Sequence, residues 1–242
     1  MAPNLVQLVF LHGFTQTGAS WDSVVAALRE RYSPVAPDLR GHGSATELTP
    51  VTLEAVIGDL AGLAPASFQL AGYSMGGRIA LHVALALPDR VTQLSLIGAS
   101  PGVADPERRA ERRAADERLA DELERSRIEE FARRWAKTPI LAGLAPDVAE
   151  EVHADRLRSA PQGLARALRG LGTGALPPLW ERLGELAMPV TLIVGEHDRK
   201  FRETAAQMAR ALAAARVEVV AGAGHAVHLE APERVAEIIA AA

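Results

Sequence analysis

The stretch Leu70-Ala71-Gly72-Tyr73-Ser74-Met75-Gly76-Gly77 constrains this chain more than any other. The apolar run from Phe68 to Ala71 reads as a strand, and Arg78 to Leu85 carries the residues of a helix. Between them Gly72, Ser74 and Gly76 form Gly-x-Ser-x-Gly. A serine at a sharp strand-to-helix turn takes strained backbone angles and holds its hydroxyl out at the carboxyl edge of a sheet. Glycine flanks it because a Cβ there would meet the neighbouring strand or helix. The helix start then aims free N–H groups and a positive dipole end at charge developing beside Ser74. An ordinary glycine-rich turn can show the same motif, so the surrounding chain has to decide between them.

That chain alternates strands with helices. Val6 to Leu11 is apolar apart from Gln7, as a strand buried on both faces would be, and it ends in His12-Gly13-Phe14. Ser20 is placed to cap a helix from Trp21 to about Arg31, with Trp21, Val24, Val25 and Leu28 on one face. Tyr32 to Pro37 reads as a second strand, leading into Asp38-Leu39-Arg40-Gly41-His42-Gly43, and Thr52 starts a helix through Leu63. Beyond Ser74, strands are expected at Val91–Ile97, Pro189–Val194 and Arg216–Val220, with a closing helix from Pro232 to Ala241. The rhythm is that of an α/β protein with a mostly parallel, doubly wound sheet. Residues 99–188 break it with helical, Arg/Glu-dense sequence. They read as a helical lid inserted into a core made of residues 1–98 and 189–242.

The bulk properties fit this plan. At 242 residues the chain has the size of one large α/β domain or of a domain with an insertion. The net charge of −4 is mild and dispersed, which argues against nucleic acid as the partner. No apolar run reaches the roughly 18 residues of a membrane span. Met1-Ala2-Pro3-Asn4 leads straight into a strand, so no signal peptide is expected. Cysteine is absent, which removes disulfides, a thiol nucleophile and thiolate metal sites, and a cytoplasmic location is expected. The histidines show neither His-x-x-x-His nor His-Glu-x-x-His, so no metal is expected either.

A serine hydroxyl is inert near neutral pH unless a base takes its proton and a third group orients that base. On a parallel sheet these partners should follow later strands, in the order serine, acid, histidine. Gly195-Glu196-His197-Asp198 and Gly222-Ala223-Gly224-His225 stand at those places. Asp198 is the expected orienter and His225 the expected base, with Glu196 and His228 as their competitors. His12, His42 and Asp38 read as structural hydrogen-bonding residues, and His82 and His153 as helix-surface residues. The N–H groups of Met75 and Phe14 are the candidates for an oxyanion hole. Arg78, one helical turn beyond Ser74 on the same face, is within reach of an anionic substrate group.

From His12-Gly13-Phe14 through Gly72-Tyr73-Ser74-Met75-Gly76-Gly77 to Asp198 and Gly224-His225, the whole chain resembles the α/β-hydrolase family. Within it the chain is most similar to the 2-succinyl-6-hydroxy-2,4-cyclohexadiene-1-carboxylate synthases of menaquinone biosynthesis. The likeness rests on Tyr73 to Arg78, Ala99-Ser100-Pro101-Gly102, Arg112-Arg113-Ala114-Ala115-Asp116, Trp135 with Pro139, Gly163 to Gly174, Asp198 to Phe201 and His225 to Glu230. It departs at Leu141, where the family often has Phe, and at Arg40, where Pro is common.

This resemblance implies elimination of pyruvate from a cyclohexene tricarboxylate, with no cofactor and with the activated serine acting as a base. It further implies substrate contacts from Tyr73, Arg78, Arg112, Trp135 and Arg158, with Arg113 as the alternative to Arg112. A small anionic molecule is then the expected partner, without nucleic acid or membrane, for a monomer or small homo-oligomer. The competing readings are a carboxylesterase or C–C hydrolase working through an acyl-serine, and a non-catalytic receptor on the same fold.

Overall fold

Every apolar run expected to pair does so in one parallel sheet. The computed structural model describes residues 5–64, 66–138 and 143–242; Met1–Asn4, Pro139 and Leu141, on which readings above fall, lie outside them. Among the described residues the strands are β1 (Val6–Leu11), β2 (Tyr32–Val35), β3 (Phe68–Tyr73), β4 (Val91–Ile97), β5 (Val190–Gly195) and β6 (Ala215–Val220). Their order is β2-β1-β3-β4-β5-β6, with every neighbouring pair parallel. From β1 the chain steps outward to β2 and then returns to the other side of β1 as β3. Open α/β sheets bind ligands in the crevice at such a reversal, outside the carboxyl ends of the strands. The register pairs Leu11 with Gly72, so the loop after β1 and the turn holding Ser74 emerge side by side.

Strand alternation loads both faces of the sheet, which is why the strands read as continuous apolar runs. Leu8 and Phe10 join Trp21, Val24, Ile97, Ile193 and Ile238 on one face, under α1 (Asp22–Leu28) and α10 (Pro232–Ala240). Val9 and Leu11 join Leu70, Ile79, Leu94, Leu192 and Met208 on the other, under α2 (Leu53–Leu63), α3 (Met75–Ala86) and α8 (Arg199–Ala211). Each fully buried side chain of this size contributes about 1.5–3 kcal/mol.

Three local readings change. A 3-10 turn over Gly18–Trp21 precedes α1, and Thr17 caps it by accepting from the Ala19 N–H; Ser20 instead donates to the Thr17 carbonyl. The second strand stops at Val35, short of Pro37, and it accommodates Pro34 because it lies at the edge of the sheet. Finally, α8 hides in charged sequence. Its buried residues Phe201, Ala205 and Met208 follow helical spacing, and its cap is Asp198, which accepts from the Phe201 N–H.

Between β4 and β5 the described residues contain helices and no strand: α4 (Pro106–Arg125), α5 (Ile128–Trp135), α6 (Pro146–Arg156) and α7 (Pro161–Leu171). They share a small apolar cluster of Ala120, Leu123, Phe131, Leu164, Ala165 and Leu168. Helix α4 buries only Asp116, Ala120 and Leu123, so ion pairs supplement a narrow stripe. Arg169 of α7 reaches Glu117, Asp121 and Glu124 along one side of α4. After β6, the short helix α9 (Val227–Glu230) leads into α10.

Candidate active site

Ser74 has φ 51° and ψ −107°, a left-handed conformation that a non-glycine residue adopts only under constraint. The constraint comes from its neighbours. Its N–H donates to the Ile97 carbonyl at 2.9 Å, and α3 begins at the next residue. A Cβ on Gly72 would lie 2.5 Å from the Gly76 carbonyl oxygen, and one on Gly76 would lie 2.2 Å from that of Leu11. The glycines therefore let α3 press directly onto β3 and β1. Met75, in the first turn of α3, has an N–H with no intrahelical acceptor. Phe14 belongs to the adjacent loop after β1, whose next residue, Thr15, has φ 70°.

His225 stands beside Ser74, with Nε2 3.2 Å from the Ser74 Oγ and Nδ1 2.6 Å from the Asp198 Oδ2. The other Asp198 oxygen accepts from the Phe201 N–H at 3.2 Å, so capping α8 also fixes the carboxylate. The rings of Phe201 and Tyr73 lie 4.6 and 5.2 Å from the imidazole and hold its plane.

The competitors are elsewhere. His228 is fully buried between Trp21 and Tyr73, neither ring nitrogen has a partner among the described residues, and burial, then His225 and His12, push its pKa down to about 3. Glu196 accepts from the Gly222 N–H in the turn after β6. His12 accepts from the Leu39 N–H through Nε2, which leaves Nδ1–H to donate to the Gly13 carbonyl. His42 packs edge-on against His12 and Phe14, and burial followed by His12 lowers its pKa to about 3. Asp38 accepts from Gly18 and Ser44. His82 is a correction: it is buried, and desolvation, then Arg78 and Arg182, lower its pKa to about 4. His153 is half-buried. Arg40 forms a two-pronged pair with Asp59.

Above Ser74 opens a cavity of about 420 Å³, lined by Phe14, Tyr73, Met75, Arg78, Arg112 and Trp135 among the residues expected from sequence. Arg78 is 6% exposed; it donates through Nη2 to the Leu171 carbonyl, while Nε has no partner among the described residues. Burial, then the nearby Arg112 charge, lowers its pKa to about 10. It remains a cation near neutral pH. Trp135 packs edge-on against Phe14 and stacks on Phe131. Arg112 lines the cavity and Arg113 does not.

Arg158 is corrected to Arg156. The Arg158 side chain is 63% exposed, pairs loosely with Asp155, and borders a separate shallow hollow with Asp38 and Ser44. Arg156 is 2% exposed, lines the main cavity and donates toward the Thr15 hydroxyl. Helix α6 buries Val152, Asp155 and Arg156 as a stripe and ends there, turning Arg158 to solvent. The i, i+3, i+4 spacing from Val152 was the available signal. Asp155 fixes this end of α6 by accepting from both the N–H and the hydroxyl of Thr17. Lys200 also lines the cavity and was missed in the sequence, its ammonium 5.3 Å from the Phe201 ring centroid. Among the described residues no carboxylate lines the cavity, and no group of acidic or histidine residues is arranged to hold a metal.

A serine, a histidine and a carboxylate in hydrogen-bond reach on the carboxyl edge of a parallel sheet, beside the loop after the first strand, define the α/β-hydrolase class. The chain matches the Alpha/beta hydrolase family over residues 8–238 and belongs to it. Its relatives include the 2-succinyl-6-hydroxy-2,4-cyclohexadiene-1-carboxylate synthase of Salmonella agona (strain SL483), 33% identical over 98% of this chain and 94% of the relative. Among solved structures, MenH from S. aureus superimposes with a TM-score of 0.91 at 31% identity, covering 98% of this chain and 92% of that one. A malate-bound thermophilic esterase from Thermogutta terrifontis gives 0.85 at 29% identity, covering 98% and 88%.

Proposed function

We infer that this chain is a 2-succinyl-6-hydroxy-2,4-cyclohexadiene-1-carboxylate synthase. It releases pyruvate from 2-succinyl-5-enolpyruvyl-6-hydroxy-3-cyclohexene-1-carboxylate. The observation that carries this reading is the cavity lining: Arg78, Arg112, Arg156 and Lys200 surround Ser74, and no carboxylate joins them among the described residues. That lining suits a substrate with three carboxylates, and the synthase relatives supply the reaction.

The chemistry follows from the substrate's bonds. The ring C2–H is acidic because it is both α to the succinyl ketone and allylic to the C3–C4 double bond. In this reading His225, oriented by Asp198, draws the Ser74 proton, and the Ser74 oxygen removes the C2 proton. The C2–H electron pair becomes the C2–C3 double bond, the C3–C4 pair moves to C4–C5, and the C5–O bond breaks. Enolpyruvate leaves as its enolate and becomes pyruvate on taking a proton at its methylene carbon, which balances the proton that His225 drew from Ser74 and now gives up. The Phe14 and Met75 N–H groups would stabilise the enolate oxygen as negative charge develops on the ketone. Arginine contacts of about 1.5–3 kcal/mol each would hold the carboxylates, with Tyr73 and Trp135 as apolar walls. Helices over residues 99–188 would act as a lid that excludes water. No cofactor takes part in these steps, and we place the reaction in the cytoplasm, a setting suited to a cysteine-free chain.

The deciding experiment is release of pyruvate from the enolpyruvyl substrate by purified protein. A second reading, a carboxylesterase with an acyl-serine, is favoured by the Ser74–His225 geometry and the esterase neighbour. An acyl-enzyme burst with neutral esters and no pyruvate release would select it.

A further inference from the structure

Asp116 is a buried carboxylate that the reaction does not use. It is 5% exposed on α4, one turn beyond Arg112 and away from the cavity lining. Its Oδ1 accepts from the Arg112 Nε–H at 2.8 Å, and its Oδ2 accepts from the Gly174 N–H at 3.3 Å. Gly172 and Thr173, just before that N–H, line the cavity beside Arg112. The carboxylate therefore ties α4 to the turn after α7 and holds Arg112 by one chosen nitrogen. With Nε engaged, the two terminal nitrogens donate no hydrogen bond to the described residues and remain as a fork. A guanidinium takes a carboxylate in a planar, two-pronged fashion, and a free arginine on a helix face must lose much rotamer freedom to do so. Half of the Arg112 side chain is exposed, so packing alone does not fix it.

We propose that Asp116 is a positioning residue that holds Arg112 with its terminal N–H fork toward the cavity, preset for one substrate carboxylate. This rests on reading the cavity as a carboxylate pocket. Arg112 touches the ligand; Asp116 acts only through it. A carboxylate this close to a cationic pocket would otherwise compete with the substrate. Here that competition is limited, because Asp116 occupies the Nε side and is shared with a backbone N–H.

The test is a double-mutant cycle on pyruvate release with Asp116→Asn, Arg112→Ala and the pair. Asparagine keeps the shape and an acceptor but loses the charge that fixes Arg112. Asp116→Asn should raise KM about tenfold with kcat within about threefold, as for loss of one ordered charge-assisted contact. The double variant should be no worse than Arg112→Ala, since the two residues act as one unit. Arg112→Lys keeps the charge and leaves the Asp116–Gly174 bond in place, and it should raise KM as far, because lysine has no fork to preset. An unchanged KM in Asp116→Asn, multiplying effects in the double variant, or a wild-type KM in Arg112→Lys would each overturn the proposal.

If the wild type releases no pyruvate, the function reading fails by itself. The proposal is then read from hydrolysis of 4-nitrophenyl succinate against 4-nitrophenyl butyrate. Asp116→Asn should weaken only the charged ester, and an equal loss on both would overturn the proposal.

Discussion

Ser74 is held by backbone constraints that do not depend on its hydroxyl, so removing the hydroxyl should change chemistry and leave folding intact. Ser74→Ala should lower kcat at least about a thousandfold with an unchanged melting temperature, and residual activity above about a tenth would sink the assignment. Asp198→Asn retains an oxygen for the cap of α8 while mis-orienting His225, so it should be no more damaging than His225→Ala when the two kcat values are compared. The corrected arginine gives a sharper contrast. Arg156→Ala should raise KM for the tricarboxylate tenfold or more, whereas the exposed Arg158→Ala should shift it less than about twofold. Initial-rate kinetics on both variants checks this, and the reverse ranking would restore Arg158 to the pocket.

At the scale of elements, the site depends on how closely α3 approaches β1. Any side chain at Gly76 meets the Leu11 and His12 carbonyl oxygens, at 2.2 and 2.5 Å from a Cβ. Gly76→Ala should therefore cost about 1–3 kcal/mol, read as a lower urea midpoint, and should lower activity with it, because the N–H groups of Phe14 and Met75 that we propose as oxyanion donors sit on either side of that contact. The α4–α7 contact is of a different kind. Arg169 joins three carboxylates but is 30% exposed, and solvent screens most of the gain. Arg169→Ala should lower stability by about 1 kcal/mol or less, with a measurable but small change in melting temperature.

For the whole molecule, buried neutral histidines should weaken the fold in acid. His42 and His228 have pKa values of about 3, and His82 about 4, all lowered chiefly by burial. The unfolded chain titrates near 6.5, so below that pH it takes up protons that the native state refuses. Their stabilising contribution is complete above about pH 6.5 and declines as pH falls toward the folded values. A group such as His228 removes up to about 2 kcal/mol by pH 5. His228→Phe, which keeps the ring between Trp21 and Tyr73, should retain activity and flatten the fall in stability from pH 7 to pH 5. Chemical unfolding at several pH values tests the slope, and an unchanged slope would show that His228 does not titrate on unfolding.

The order of the strands along the chain, the parallel sheet and the chemical groups at Ser74, Asp198 and His225 were legible in the chain itself, whereas α8 was not. Strand alternation, helical period and the glycine requirement of a tight turn are local properties, and a parallel sheet places each loop after a strand at the same edge. The preference for His225 over His228 was legible too, and tertiary structure supplies its reason: three residues separate an imidazole facing Ser74 from one sealed between two aromatic rings. The choice of Arg156 over Arg158 belonged to tertiary structure, decided by where α6 ends and which of its residues meet the loop after β1. Lys200 and Asp116 stand in the matched segments without a role, because the cavity and the Gly174 N–H that give them one are formed only on folding. Local sequence records which groups are present, while their orientation, burial and partners depend on how separate segments pack, in some pairs across more than a hundred residues, as for Thr17 and Asp155.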